Sequence, residues 1–158
     1  GIVVLDLSAY GHTGPWRRRR GFDSLVQMAS GIADDGARSA AADRPTPLPV
    51  QALDHGTGWL AASAVLTALR RQRADGGSWW LRLALARTGA WLDDLGRLPG
   101  DVPAARLPDP GELGDLLAET GSAFGRVRHL RVPGGLPGGR PRYDHGPHLP
   151  GSDPAEWW

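Results

Sequence analysis

Apolar and β-branched residues run from Ile2 to Leu7 with only Asp6 interrupting them, the pattern of a buried strand. Ser8 to Pro15 contains Gly11 and Gly14 and reads as a loop, and a basic run follows from Arg17 to Arg20. From Phe22, apolar residues fall at 22, 25, 26 and 29, which predicts a helix with that face inward and Gly31 as its stop. Residues 34–49 are rich in Asp, Ala, Arg and Pro and are expected to form an exposed connection. Val50 to Leu53 reads as a short extended piece that runs into Asp54-His55-Gly56-Thr57-Gly58. A long helix is predicted from Trp59 to Arg73, with Trp59, Ala62, Leu66 and Leu69 on its core face and Asp75-Gly76-Gly77 as its end. Leu81, Leu83 and Leu85 alternate with Arg82 and Ala84 as in a strand, and Ala90 to Leu95 suggests a short helix. A Pro-rich connection spans 99–110. Asp109-Pro110-Gly111-Glu112 then has the form of a capping box opening a helix to Glu119. Arg126 to Val132 is expected to be a strand, followed by an extended tail with Gly134-Gly135, Gly138-Gly139 and a series of prolines.

Composition narrows the function. The chain has 158 residues, 23 Gly and 14 Pro, so turn and loop must be abundant. The net charge of +1 argues against a general polyanion binder, so nucleic acid is not an expected partner. All 18 basic residues are Arg, a bias that reads as genome composition, not as a binding function. Cysteine is absent, which excludes thiolate catalysis and Cys-based zinc sites and fits a cytoplasmic setting. No apolar run approaches the roughly 20 residues needed to span a bilayer, so no membrane partner is expected either. A chain that opens with Gly1 directly inside an apparent strand reads as a cut end.

Asp54 leads the candidates for chemistry. A carboxylate where an extended segment meets a helix gains from the helix-terminal N–H groups and dipole, and the small residues after it let a substrate approach the backbone. It has two readings, a helix cap or a covalent nucleophile toward an activated acyl group. His55 beside it, and His12 in the first loop, are candidates for contact with substrate. His145 and His148 form a His-x-x-His pair without a carboxylate or Cys at ligand spacing, and no metal site is assigned. Arg17 to Arg20 reads as a phosphate clamp or as a solvated turn. Gly11 to Gly14 lacks the Gly-Lys-Ser/Thr ending of a Walker loop. Trp79, Trp80, Trp91, Trp157 and Trp158 are expected to serve in core and tail packing, not in stacking on bases.

Two segments together resemble a known family. The first is Asp6-Leu7-Ser8-Ala9-Tyr10-Gly11-His12-Thr13-Gly14-Pro15-Trp16, continued by Arg20-Gly21-Phe22-Asp23-Ser24-Leu25-Val26-Gln27. The second is Pro49-Val50-Gln51-Ala52-Leu53-Asp54-His55-Gly56-Thr57-Gly58-Trp59-Leu60-Ala61-Ala62. Their order and spacing are similar to those of the family III CoA-transferases, over residues 1 to about 95. The resemblance implies an α/β fold: a partial Rossmann-like domain with an extended Pro/Gly-rich C-terminal arm. It divides the chain into a core segment with the catalytic Asp (1–95), a shortened small-domain remnant (96–125), and a return strand with tail (126–158). It further implies transfer of CoA between an acyl-CoA thioester and a carboxylic acid, with Asp54 as the covalent nucleophile. Ser8, Ala9, Tyr10, Gly11 and His55 would lie along CoA or substrate. No metal or redox cofactor is implied, CoA being a substrate. Expected partners are a second copy in a homodimer or a missing N-terminal half. The alternative is a non-catalytic fragment or pairing subunit that lacks the N-terminal CoA-binding half.

The family's racemases carry His where this chain has Phe22. The resemblance therefore predicts that the protein leaves the α-proton of a 2-methylacyl-CoA unexchanged in deuterated water. Mass spectrometry of the recovered thioester checks this; deuterium uptake that depends on Asp54 would place the chain with the racemases instead.

Overall fold

The computed structural model describes residues 1–98, 108–135 and 137–156, and the chain divides into two compact units, Gly1–Ala104 and Ala105–Trp158. In the first unit, strand β1 (Val3–Ser8) pairs in parallel with β2 (Trp79–Ala84), from Val3 opposite Trp79 to Ser8 opposite Ala84. Between them come α1 (Asp23–Ala29), α2 (Ile32–Ser39) and α3 (Ala52–Asp75), and α4 (Leu85–Asp94) follows β2 directly. This is an α/β arrangement, as expected. A parallel pair requires a crossover, and the helices supply it. Among the described residues no helix is long and apolar enough to cross a membrane.

The core is small: Val26, Leu53 and Leu85, with Ala9, Tyr10, Ile32, Ala86 and Leu92 packed around them. Two helices turn faces inward that the apolar pattern did not predict. In α1 the buried residues are Asp23, Val26 and Gln27, whereas Phe22, just before the helix, and Leu25 are exposed. In α3 the buried residues are Leu53, Thr57 and Ala68, and Trp59, Leu66 and Leu69 point to solvent. Beyond Leu53 the inward stripe of α3 is made of small side chains, and the helix packs on both strands and on α4. A β-carbon on Gly56 would meet Thr88 Cγ2 at 3.3 Å, and the Thr57 and Thr88 hydroxyls hydrogen-bond at 2.6 Å in the buried seam.

Several boundaries differ from the pattern. The helix expected from Trp59 starts at Ala52, so Gly56 and Gly58 are helical. It ends as predicted, with Gly76 and Gly77 at φ of 73° and 79°, a region that favours glycine. Residues 34–49 are not simply a connection, because α2 occupies the first part of them. Arg38 pairs with Asp34 and Asp35 one turn back, which supports this short helix, and Ala33 is buried beneath it. The short helix expected at 90–95 begins at Leu85, the residue after β2. Exposed tryptophans also depart from the packing role: Trp80 lies under the Arg82 guanidinium at 3.7 Å, and Trp59 is open to solvent.

In the second unit, the capping box at Asp109 and Glu112 opens a 3₁₀ helix, Pro110–Leu116, not an α-helix to Glu119. Residues 117–119 instead belong to β3 (Leu117–Ser122), antiparallel to β4 (Gly125–Leu130). Pairing overrides the helical pattern here, with Gly125 at φ 95° completing the tight turn. Glu119 and Arg126 pair across the hairpin. The Pro/Gly-rich arm returns over the hairpin: Tyr143 meets His129 edge-on at 5.5 Å, and a β-carbon on Gly146 would fall 2.1 Å from the Gly121 carbonyl oxygen. The Pro-rich connection at 99–110 lies outside the described residues except at 108–110, as do Trp157 and Trp158.

Arg97 ties α2 to the end of α4 by pairing with Asp35 and Asp93. Its hydrogen bond, followed by that of Arg38, holds the Asp35 carboxyl below the usual carboxylate range, against an opposing effect of burial. A carboxyl depressed in the folded state adds stability above its unfolded value, about pH 4, and that stability is lost as pH falls through the folded value. Arg97→Ala should therefore lower the thermal midpoint slightly at pH 7, and the difference from wild type should shrink as pH falls below about 4. Melting curves across this range, repeated in high salt to screen the pairs, check both effects.

Candidate functional site

The loop after β1 is shaped by its own side chains. Ser8 Oγ accepts the Gly11 N–H at 3.0 Å, and Gly11 and Gly14 have φ of 103° and 78°. Ala9 O accepts the Ala86 N–H at 2.9 Å, tying the loop to the start of α4. Tyr10 packs on the Val26–Leu53–Leu85 cluster and meets Trp16 edge-on at 5.0 Å. The Arg19 guanidinium lies 4.4 Å from the Trp16 ring centre, and Arg17 Nη1 donates to Gly14 O at 3.3 Å, so these members of the basic run brace the turn. His12 spans the strand ends, with Nε2 3.1 Å from Leu83 O and Nδ1 3.2 Å from Asp6 Oδ2. Tyr10, Thr13, Pro15, Trp16, Val26 and Ala29 are among the residues lining a hollow of about 350 Å³, within the range of small-molecule sites.

Asp54 stands in the first turn of α3, third from its start, and is exposed. Its carboxylate makes no hydrogen bond or ion pair among the described residues. It does not cap its own helix. Its backbone N–H donates instead to Asp23 Oδ2 at 2.8 Å. Asp23 is fully buried and also accepts from Gln27 Nε2 through Oδ1. Gln27 in turn donates to Val50 O at 3.1 Å and accepts the Leu48 N–H at 2.8 Å. His55 is exposed on the same turn, with its N–H bonded to Gln51 O at 3.1 Å.

The structure thus brings Tyr10 and the start of α3 to one cluster, through Leu53. Asp54 and His55 are not among the residues that line the hollow beside Tyr10. Ser8 and Ala9 use their polar atoms within the protein. In the sequence Asp23 and Gln27 stand out only as part of the signature and as a polar pair at i and i+4 beside the apolar residues of α1. In the second unit the rings of His145 and His148 are 6.4 Å apart, and His148 Nδ1 lies 2.9 Å from Asp153 Oδ1. Among the described residues no group of three or more His, Asp or Glu side chains is arranged to hold a metal.

The model of CoA-transferase family III matches residues 1–95, which contain the loop after β1, α1 and the whole of α3. The chain belongs to CoA-transferase family III. It is similar to an acetyl-coenzyme A transferase, nodX, of Hypoxylon pulicicidum, with 27% identity over 58% of this chain and 16% of that protein. It is also similar to a probable CoA-transferase, Rv1866, of Mycobacterium tuberculosis, with 34% identity over 49% of this chain and 10% of that one. The crystal structure of Rv3272 from M. tuberculosis aligns with a TM-score of 0.49 and 27% identity, over 58% of this chain and 25% of that chain. The chain therefore spans only a small part of the length of the two transferases that it matches in sequence.

Gly21 has a physical role in this site. A β-carbon there would come within 2.9 Å of Tyr10 Cε2, 3.0 Å of its hydroxyl and 3.1 Å of Ala9 Cβ. Gly21→Ala should push the Tyr10 ring from its seat and destabilise the fold by about 1–3 kcal/mol. Denaturant unfolding gives the energy, and near-ultraviolet circular dichroism reports the loss of the Tyr10–Trp16 contact. An unchanged spectrum and midpoint would mean that Tyr10 has room to spare.

Proposed function

We propose that this chain takes part in the transfer of CoA from an acyl-CoA thioester to a carboxylic acid, with Asp54 as the acyl-accepting nucleophile. The observation that carries the reading is an exposed, unengaged carboxylate in the first turn of α3, inside the segment matched by the family. Free carboxyl groups titrate near pH 4, so a carboxylate attacks an activated acyl group without a base. The positive end of the helix dipole favours the carboxylate anion, both as the attacking group and as the group released in the last step.

The steps balance on one carboxylate. Asp54 attacks the thioester carbonyl and expels CoA thiolate, leaving a mixed anhydride. The thiolate attacks the aspartyl carbonyl and releases the donor acid, which gives an aspartyl-CoA thioester. The acceptor carboxylate attacks this thioester, releasing the thiolate again and forming a second anhydride. Attack of the thiolate at the acceptor's carbonyl completes the new acyl-CoA and frees Asp54. The loop Ser8-Ala9-Tyr10-Gly11 and His55 are assigned to contact with CoA or substrate, the Tyr10–Trp16 hollow being the recess nearest in chemistry to an aromatic or acyl group. A second copy, or a chain supplying an N-terminal half, is proposed to complete the CoA site. No metal or redox cofactor is called for.

Asp54→Asn tests the nucleophile directly, since the amide keeps the shape but lacks the nucleophilic charge. Transfer should fall about 10³-fold or more while folding survives. Incubation of the wild type with a panel of acyl-CoA thioesters from acetyl to palmitoyl, then hydroxylamine trapping and peptide mapping, should mark Asp54. Activity in Asp54→Asn, with deamidation excluded by mass spectrometry, would end this reading.

A further inference from the structure

A buried carboxylate rarely lacks a task, and Asp23 is as deeply buried as any residue of the chain's core. We propose that Asp23 is a positioning residue for the Asp54 nucleophile, acting through the Asp54 backbone N–H. The inference rests on the Asp54 reading above and adds a residue to it. Asp23 Oδ2 accepts the Asp54 N–H at 2.8 Å, and Gln27 extends the hold to Leu48 N–H and Val50 O, at 2.8 and 3.1 Å. One helix thus ties down three points of the segment that delivers Asp54, while the Asp54 carboxylate is left unengaged. The cap of α3 is supplied from outside α3, in place of the N-cap residue: Gln51 makes no side-chain bond to the helix.

The donor and acceptor pattern makes the claim testable. Asp23 offers two acceptors to two donors, the Asp54 N–H and the Gln27 amide. In Asp23→Asn one of these donors meets the new NH₂. Rotating the Gln27 amide would relieve that conflict but would turn its NH₂ toward the Leu48 N–H. Exchanging the pair, Asp23→Asn with Gln27→Glu, restores an acceptor for Asp54 N–H, a donor for the residue-27 carboxylate and an acceptor for Leu48 N–H. The bond to Val50 O is lost, and that carbonyl is left facing a carboxylate oxygen.

Asp23→Asn should lower kcat about 10- to 100-fold, the scale of a misplacement near 1 Å, with KM for the acyl-CoA that the wild type uses best changed less than about 3-fold. Hydroxylamine-trapped Asp54 should fall in step with kcat. The exchanged pair should recover most of the loss. A mere structural role would not give this split: activity would follow the folded fraction measured by circular dichroism. Wild-type kcat in Asp23→Asn, a loss fully accounted for by unfolding, or an exchanged pair that stays inactive or unfolded would each overturn the proposal. Asp54→Asn run in the same assay keeps the two claims apart. If it is active, the nucleophile reading fails. If it is inactive while Asp23→Asn works normally, only the positioning role fails.

Discussion

Removing the Asp23 carboxylate from water costs several kcal/mol unless protein donors replace the lost solvent. The donors here come from two places in the chain, Gln27 one turn along α1 and the backbone of Asp54 at the head of α3. The burial of Asp23 is therefore possible only when α1, the segment before α3 and the first turn of α3 are assembled together. No buried side-chain nitrogen or oxygen among the described residues is left without a partner. Each of these elements is short of apolar contacts by itself, and the shared polar knot compensates for the small core. The same arrangement meets the Asp54 N–H from α1 and leaves the Asp54 side chain exposed.

Close approach is the second constraint. Gly21 makes room for the Tyr10 ring, Gly56 for Thr88, and Gly36 for the Thr46 carbonyl oxygen, which a β-carbon would meet at 2.0 Å. The small residues at these contacts seat Tyr10 in the loop after β1, set α3 against α4 and hold α2 against the Thr46 carbonyl. The same economy turns the large apolar side chains of α3 and Phe22 outward.

Features set by neighbours in sequence were legible, and features set by distant partners were not. The β-branched run of β1, the alternation in β2 and the left-handed glycines after α3 could all be read locally. So could the segment holding Asp54, through its motif. The start of α3 could not, because the group that caps it lies 31 residues away. Local grammar also favoured a helix where β3 lies, and only the pairing with β4 decides otherwise. The inward faces of α1 and α3 were missed for one reason: counting large apolar residues as core fails where polar bonds and small side chains set the packing. The places of Ser8, Tyr10 and His55 in the sequence were plain, whereas the engagement of the Ser8 hydroxyl with Gly11 needed coordinates.

The β1–β2 ladder joins residues 76 apart in sequence, as with Val3 opposite Trp79. The β3–β4 hairpin, by contrast, closes through Gly125 opposite Ser122. Loop-closure entropy must be met before a distant pairing returns any stability, whereas a hairpin can form in about 1–10 μs. The hairpin is thus a fast local event. The parallel ladder must await the intervening helices, and in a chain emerging from the ribosome β1 cannot meet β2 until everything that will carry Asp54 has been made.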